Sequence, residues 1–186
     1  KSVQNIDDNF FDSIYKGALM INWNDFEHIH VIKKLKHILH SWWSVDIVFT
    51  DERGHLKGLY GGKVSFVNPG MNYLIQKDAI KASLAELVSS TVNEFRTTNH
   101  QYVFKKWDAV GFDVCVFPIL IENDFVGTVI AAGFFNDSTA PQRVDEVRER
   151  LATFGCSADL IEKTLGKLQY LESGNKQHFC QLVELV

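Results

Sequence analysis

The sequence is poor in the features that mark secreted, fibrous and membrane-spanning proteins. Three cysteines and three prolines among 186 residues exclude a dense disulfide framework and a proline-rich stalk. No stretch reaches the roughly 18 consecutive apolar residues of a membrane span, because the most apolar run is interrupted at Glu122, Asn123 and Asp124. A secretory signal pattern is also lacking. We therefore expect a cytoplasmic location, reduced thiols and no membrane contact.

Positive and negative charges are nearly balanced. The formal net charge is -4 and the isoelectric point is near 6.0, which predicts no direct contact with nucleic acid. An apolar fraction of 46% with 23% charged residues is typical of a folded globular protein. This length supports one core, so we expect a single domain over residues 1–186. Because the chain begins at Lys1 without Met and ends in an amphipathic pattern, we expect a piece of a longer protein whose effector is missing.

Recognisable catalytic, metal and phosphate motifs are scarce. Four histidines, His28, His30, His37 and His40, lie in one helical segment, but only the last two have the spacing of a helical ligand pair, which favours exposed or capping roles. The glycines over 58–62 are not followed by a phosphate-loop pattern and favour a hairpin or bulge. No carboxylate pair or nucleophile with a base emerges. We expect no enzyme activity, no cofactor and no metal site.

The apolar spacing predicts helices on either side of a sheet. We expect N-terminal helices in 1–42, a sheet core in 43–136 with an interrupting helix at about 71–97, and C-terminal helices in 137–186. Asn24 and Glu27 are spaced as a capping box. We expect Trp42 to continue the apolar stripe of that helix into the core, whereas Trp43 points elsewhere. The predicted class is α+β, a five- to six-stranded antiparallel sheet flanked by helices, with helical extensions at both ends.

The most informative stretch is VCVFPILIENDFVGTVIAAGFF, from Val114 to Phe135. Two apolar runs flank a short polar turn. In both runs, the side chains that point to either face of the strand are apolar. Strands of this kind are covered on two sides. One cover is expected to be the protein's own helices, and the other a ligand cavity or a second subunit.

Aromatic residues cluster just before this stretch and within it. Such clusters more often fill a core, but an apolar pocket with one or two polar anchors is the alternative. The candidate ligand-binding residues are Trp107, Phe112, Tyr102, Asp108, Cys115 and Phe117. Arg96 and His100 are further candidate anchors. Cys115 itself is expected to behave as a small buried hydrophobe, because no neighbouring base or positive charge would activate it.

The order of elements resembles a known family. VDIVFTDERGHLKG, a long helix, a short aromatic strand ending near Gly111 and then FPILIENDFVGTVIAAGFF are similar to the GAF-like sensory domains of bacterial signalling proteins. The PocR type is closest, because VDEVRERLATFGCSADLIEKTL and FCQLVELV follow the last strand. The resemblance covers about Asp25 to Val186. It implies a small effector bound between the sheet and the helical segment that interrupts it, in front of a kinase, cyclase, phosphodiesterase or transcription-activating module.

The chain also departs from the PocR pattern. Many members carry cysteines along the interrupting helix and just before the glycine matched to Gly111, whereas the segment 72–95 has none, and Trp107 and Asp108 stand near the other position. This departure removes a metal or redox interpretation of the implied pocket and leaves its ligand unidentified.

The resemblance implies a regulatory ligand sensor that forms a homodimer. Contact is expected through the covered face of the two apolar strands and the helices from Asp7 and Ser173, which would pass the ligand state to an effector. The alternative is a ligand-free module for dimerisation or protein interaction. That alternative gains support if Trp107, Phe112 and Tyr102 pack on each other with no cavity.

Overall fold

A computed structural model describes residues 30–58, 64–98, 100–121, 124–136 and 140–184. The expected capping box at Asn24 and the expected helix from Asp7 lie outside these residues. The chain order is α1 (His30–Trp43), β1 (Asp46–Asp51), β2 (Leu56–Lys57), α2 (Pro69–Leu74), α3 (Asp78–Thr97), β3 (Val103–Trp107), β4 (Phe112–Ile121), β5 (Asp124–Phe135), α4 (Ala140–Thr153), α5 (Ala158–Leu165), β6 (Gln169–Tyr170) and α6 (Ser173–Val183). Among the described residues, no helix is long and apolar enough to cross a bilayer.

The strands form one six-stranded sheet. Its order is β2-β1-β5-β4-β3, with antiparallel neighbours throughout this path, and the short β6 pairs in parallel with the end of β5. In the centre of the sheet, Thr50 of β1 lies opposite Thr128 of β5, and their buried hydroxyl oxygens are 2.7 Å apart. The expected α+β class and antiparallel sheet are confirmed, whereas β6 was not predicted.

The expectation that the central strands are covered on both sides is confirmed. Because neighbouring side chains on a strand point to opposite faces, Val114 and Val116 of β4 face one way, while Cys115 and Phe117 face the other. The first face, here called the α3 face, packs against helices α2 to α5. The second, the α6 face, carries α1 and α6. The protein's own helices therefore cover parts of both faces, whereas the sequence predicted a ligand cavity or a second subunit on one of them.

The interrupting helical segment is two helices rather than the single helix expected over about 71–97. The short α2 begins after Asn68, whose side-chain oxygen accepts hydrogen bonds from the backbone of Gly70 and Met71, as a helix N-cap does. The chain turns over 75–77 before α3 begins at Asp78. This break gives α2 a direction of its own, so that it can pack beside α5.

Two buried polar contacts hold α2 in this position. The carboxylate of Asp46, at the start of β1, accepts hydrogen bonds of 3.0 and 3.1 Å from the backbone N–H groups of Val67 and Asn68. The Asn68 amide donates in turn to the carbonyl of Thr164 on α5, at 3.3 Å. Because unpaired buried polar groups are unfavourable, these contacts fix the distance between α2, the sheet and α5.

The assignment of Trp42 to the core was wrong. Its side chain is 66% exposed, whereas Trp43 packs edge-on against Phe179 of α6 with ring centroids 6.0 Å apart. An α-helix has about 3.6 residues per turn. Trp43, four residues after the buried Leu39, therefore lies closer to the buried face of the helix than Trp42, which is three residues after Leu39. Trp43 therefore continues the buried stripe, and Trp42 lies beside it.

Candidate functional site

The six residues predicted to bind a ligand do not come together in one pocket. Trp107 and Phe112 belong to the core on the α3 face. Three of the remaining four residues lie on the α6 face, where Cys115 and Phe117 are buried and Tyr102 packs against the same cluster. Asp108 lies in the turn after β3 with 84% of its side chain exposed. The alternation of side chains along β4 separates the first pair from the second group.

Trp107 and Phe112 are packed inside the core and do not line a pocket. Their exposed fractions are 2% and 0%, and their Cα atoms are partners across β3 and β4. The Trp107 indole N–H donates a hydrogen bond of 2.9 Å to the hydroxyl of Ser83 on α3. Because its ring is buried and its indole N–H has a hydrogen-bond partner, Trp107 holds α3 against the sheet. The cavity on this side of the molecule lies elsewhere.

A cavity of about 930 Å³ opens between the β1–β2 hairpin and helices α2 and α3. We call it the hairpin cavity. Its described lining residues are Gly54, His55, Leu56, Val64, Ser65, Asn72, Ile75, Gln76, Lys81, Ala82 and Ala85. The segment 59–63, which joins two parts of this wall in sequence, lies outside the described residues. The hairpin cavity is the concave site between the sheet edge and the interrupting helices.

The hairpin wall is held in shape by Asp51. Its carboxylate accepts backbone hydrogen bonds from Arg53 at 3.0 Å and from His55 at 2.9 Å, and it pairs with the ammonium of Lys57 at 2.8 Å. Burial by itself would raise the pKa of Asp51, but the hydrogen bonds from Lys57 and from the two backbone groups outweigh it and hold this pKa below its usual value. The turn is thus stabilised by an ionised carboxylate.

Small residues allow the hairpin to approach α3. Gly54 has a φ of +82°, a conformation that favours glycine. A Cβ at this position would lie 3.1 Å from the carbonyl oxygen of Ala85. Together with Ala82, one turn earlier on α3, these residues leave a wall with little side-chain volume. The cavity exists because this wall is made of glycine and alanine.

Two polar side chains that line the hairpin cavity, Asn72 and Lys81, offer hydrogen-bond donors. The Asn72 side-chain oxygen accepts from the backbone of Phe66 at 3.2 Å, which leaves its amide N–H groups as donors. Lys81 carries the ammonium group, which lies 3.3 Å from the almost fully exposed carboxylate of Asp78. No carboxylate occurs among the described lining residues. The cavity therefore suits a ligand that carries an acceptor or a negative charge.

A second concavity, of about 890 Å³, lies on the α6 face. We call it the Tyr102 groove, because Tyr102 and Phe117 line it with their ring centroids 5.5 Å apart. His100 stands at its rim, 3.9 Å from Glu94. Val183 near the end of α6 also lines the groove. Of the six predicted residues, two therefore line a groove. The side chain of Arg96 lies outside the described residues.

The sequence interpretation missed Cys180, which lies beside two of the predicted residues. The Tyr102 hydroxyl and the Cys115 thiol both lie close enough to the Cys180 sulfur to lower its pKa. These three residues come from the loop before β3, from β4 and from α6, so no local spacing in the sequence indicates the cluster. Across the described part of the chain, groups of three or more potential metal-ligating side chains are absent.

Comparisons with protein-family models, with curated proteins and with solved structures gave no significant match.

Proposed function

We propose that this chain is a small-molecule-sensing regulatory domain, GAF-like and of the PocR type, within a larger bacterial signal-transduction or transcription-regulating protein of the cytoplasm. The observation that carries the proposal is the hairpin cavity. It lies between the sheet edge and the interrupting helices, which is where the resemblance implies an effector. Its volume of about 930 Å³ falls within the range of pockets that enclose small organic ligands.

The ligand is a small molecule with an apolar body and an anionic or carbonyl group. Leu56, Val64 and Ile75 provide the apolar contact surface of the cavity. Lys81 and the amide of Asn72 provide donors at its polar side. A charge-assisted hydrogen bond from an ammonium group is stronger than a neutral one, so the anionic form of such a ligand binds more tightly than its neutral analogue.

Ligand binding reaches the C-terminal helices through α2. Asn72 of α2 lines the cavity, and Gly70 on the same helix packs against Thr164 of α5. After α5 the chain forms β6, which extends the sheet, and then α6. A ligand that favours one packing of α2 thereby favours one position of α5 and α6, which is the coupling that a sensor requires. A symmetric homodimer would present two such helices to the effector.

Blocking the hairpin cavity tests this function. In Ala82→Trp a large side chain is added to the small wall of α3, and we expect loss of ligand retained through gentle purification, measured by native mass spectrometry. Ser89→Trp adds the same side chain at an exposed position of α3 away from the cavity and should retain the ligand. If the unmodified protein retains nothing and no member of a metabolite library raises its melting temperature, the sensor function is refuted.

The ligand class has a separate test. Lys81→Met should weaken binding of an anionic ligand about tenfold or more, as expected for loss of a charge-assisted hydrogen bond of 1.5–3 kcal/mol. Lys163→Met removes a similar exposed ammonium, paired with Asp159 on α5, and should leave the affinity unchanged. Equal binding of a carboxylate and its uncharged amide would contradict the anionic class while leaving the sensor function intact.

The second candidate function is a ligand-free module for dimerisation or protein interaction. Two observations favour it: Trp107 and Phe112 are packed into the core, and Trp42 leaves 66% of its surface exposed on α1. Light scattering coupled to size exclusion tests the association common to both candidates. A monomer at every accessible concentration contradicts the homodimer, and a dimer that retains and responds to no small molecule favours the second candidate.

A further inference from the structure

Two thiols that are distant in sequence meet on the α6 face. Cys115 lies on β4 and Cys180 on α6, with exposed fractions of 0% and 2%, and both are free thiols. The two thiols lie close enough for each to shift the pKa of the other. The neighbouring residues support this placement independently, since the ring of Phe179 lies 6.4 Å from that of Phe117 and 5.7 Å from that of Phe134. One turn of α6 therefore rests directly on β4.

We propose that Cys115 and Cys180 are a redox modification site, which an oxidant of the hydroperoxide class converts to a reversible disulfide between β4 and α6. Both side chains lie in the same buried cluster and interact with each other, so we expect the bond to require a local adjustment rather than unfolding of the sheet. This site lies on the α6 face, opposite the helices that form the hairpin cavity. Its chemistry is therefore separate from ligand binding.

The surroundings of the pair assign different roles to the two sulfurs. The hydrogen bond from Cys115 lowers the pKa of Cys180, burial opposes this effect, and the hydrogen bond from Tyr102 adds to it. Burial is the main cause that raises the pKa of Cys115, and its hydrogen bond to Cys180 acts in the same direction. Cys180 is also the sulfur beside Tyr102, which lines an open groove. Because the thiolate is the nucleophile in thiol oxidation, we assign the first reaction to Cys180.

The proposed reaction balances in two steps. The Cys180 thiolate attacks one oxygen of hydrogen peroxide and breaks the O–O bond, which gives a sulfenic acid at Cys180 and, after protonation of the departing hydroxide, one water. The Cys115 sulfur then attacks the Cys180 sulfur and displaces its hydroxyl group, which leaves as a second water with the Cys115 thiol proton. Two thiols are oxidised to one disulfide while one peroxide is reduced to two waters.

In this proposal, peroxide reaches the pair through the Tyr102 groove. The groove is lined by Tyr102, whose hydroxyl lies close enough to Cys180 to lower its pKa, and by Val183 on the next turn of α6. The third cysteine, Cys156, belongs to the core on the α3 face and is 8% exposed. Cys156 is therefore a matched internal control, because it is a buried thiol without a second thiol on its own face among the described residues.

Peptide mapping of the unmodified protein is the direct test. After treatment with hydrogen peroxide and alkylation of the remaining thiols, we expect the intact protein to lose two hydrogen atoms, to carry one alkyl group on Cys156, and to yield a linked peptide pair containing Cys115 and Cys180. Dithiothreitol should restore three alkylation sites. Alkylation of all three thiols after peroxide, or a disulfide to any other partner, overturns the proposal.

Variants distinguish the sulfur that reacts first with peroxide from the sulfur that then forms the disulfide. Cys156→Ser should form the disulfide as the unmodified chain does. In Cys115→Ser the first step remains, so a dimedone adduct should appear at Cys180, whereas Cys180→Ser should give no adduct at Cys115. An adduct at Cys115 in preference to Cys180 contradicts the assigned order. Since the mapping of the unmodified protein needs no variant, a folding defect in a serine variant leaves the test decisive.

Discussion

Replacing Gly70 by alanine has two opposite effects on stability. Alanine favours the helix, but its side chain would collide with Thr164. Gly70 lies in α2 with its backbone against Thr164 of α5. An added Cβ would lie 2.6 Å from the Thr164 methyl carbon and 2.9 Å from its Cβ, with the hydroxyl oxygen nearer still. Helix propensity alone predicts that alanine stabilises such a position by about 0.5–1 kcal/mol. The steric conflict predicts the opposite sign.

The steric effect should dominate because Thr164 has little freedom to move. Its side chain is 0% exposed, and its hydroxyl donates a hydrogen bond of 2.6 Å to the carbonyl of Leu160. Overpacking a tight core costs about 1–3 kcal/mol. From the middle of each range, a cost of about 2 kcal/mol less a gain of about 0.75 kcal/mol, we expect Gly70→Ala to lower the free energy of unfolding by about 1 kcal/mol. For a chain of this size, that lowers the melting temperature by about 2–4 °C.

The assay is urea denaturation followed by circular dichroism, with two further variants. Gly174 lies in α6 with no atom within 4 Å of an added Cβ, so Gly174→Ala should raise the free energy of unfolding by about 0.5–1 kcal/mol. Thr164→Ala removes two of the conflicting atoms, and the double variant with Gly70→Ala should be more stable than the sum of the single effects. A Gly70→Ala protein as stable as the unmodified chain would refute the reasoning.

Three further outcomes follow from buried polar groups. Asp113→Ala removes the carboxylate that pairs with Arg143 at 2.8 Å and should lower the free energy of unfolding by about 3 kcal/mol, the lower end for a broken buried pair; a change below 1 kcal/mol contradicts it. Trp107→Phe loses the indole hydrogen bond of 2.9 Å and should cost about 1–3 kcal/mol, measured by the same urea titration. Burial by itself would raise the pKa of Asp51, but the hydrogen bonds from Lys57, His55 and Arg53 together lower it in the folded state. The stabilisation by Asp51 is therefore full above its ordinary pKa of 3.8 and is lost as pH falls through the lower folded value. The melting temperature of Asp51→Asn should therefore fall less steeply than that of the unmodified chain below about pH 4, and parallel curves would disprove this.

Much of the fold follows from local patterns. The alternation of apolar residues over 114–135 predicted central strands with two covered faces, and both faces are covered. Helical spacing predicted α1, α3 and the C-terminal helices. The break between α2 and α3 was not predicted, because the contacts that fix α2 come from Asp46 and Thr164, which are remote in sequence. Element type is largely a local property, whereas boundaries depend on such distant contacts.

The candidate site was much less accessible from the sequence. The aromatic cluster was identified, but its alternation along the strands divides it between the two faces, with Trp107 in one core and Tyr102 beside the other. The hairpin cavity contains none of the six predicted residues. Part of its wall is formed by Gly54, Ala82 and Ala85, and small side chains give no local signal of the space that they leave.

The α+β class and the two central strands buried on both faces follow from the sequence, because periodic apolar residues act through local backbone geometry. The position of the open space, and the side chains that meet across it, depend on the tertiary packing. The meeting of Cys115 with Cys180, and of Gly70 with Thr164, depends on how helices pack onto the sheet. Such contacts join residues that no spacing rule connects, since packing depends on the shapes of whole surfaces.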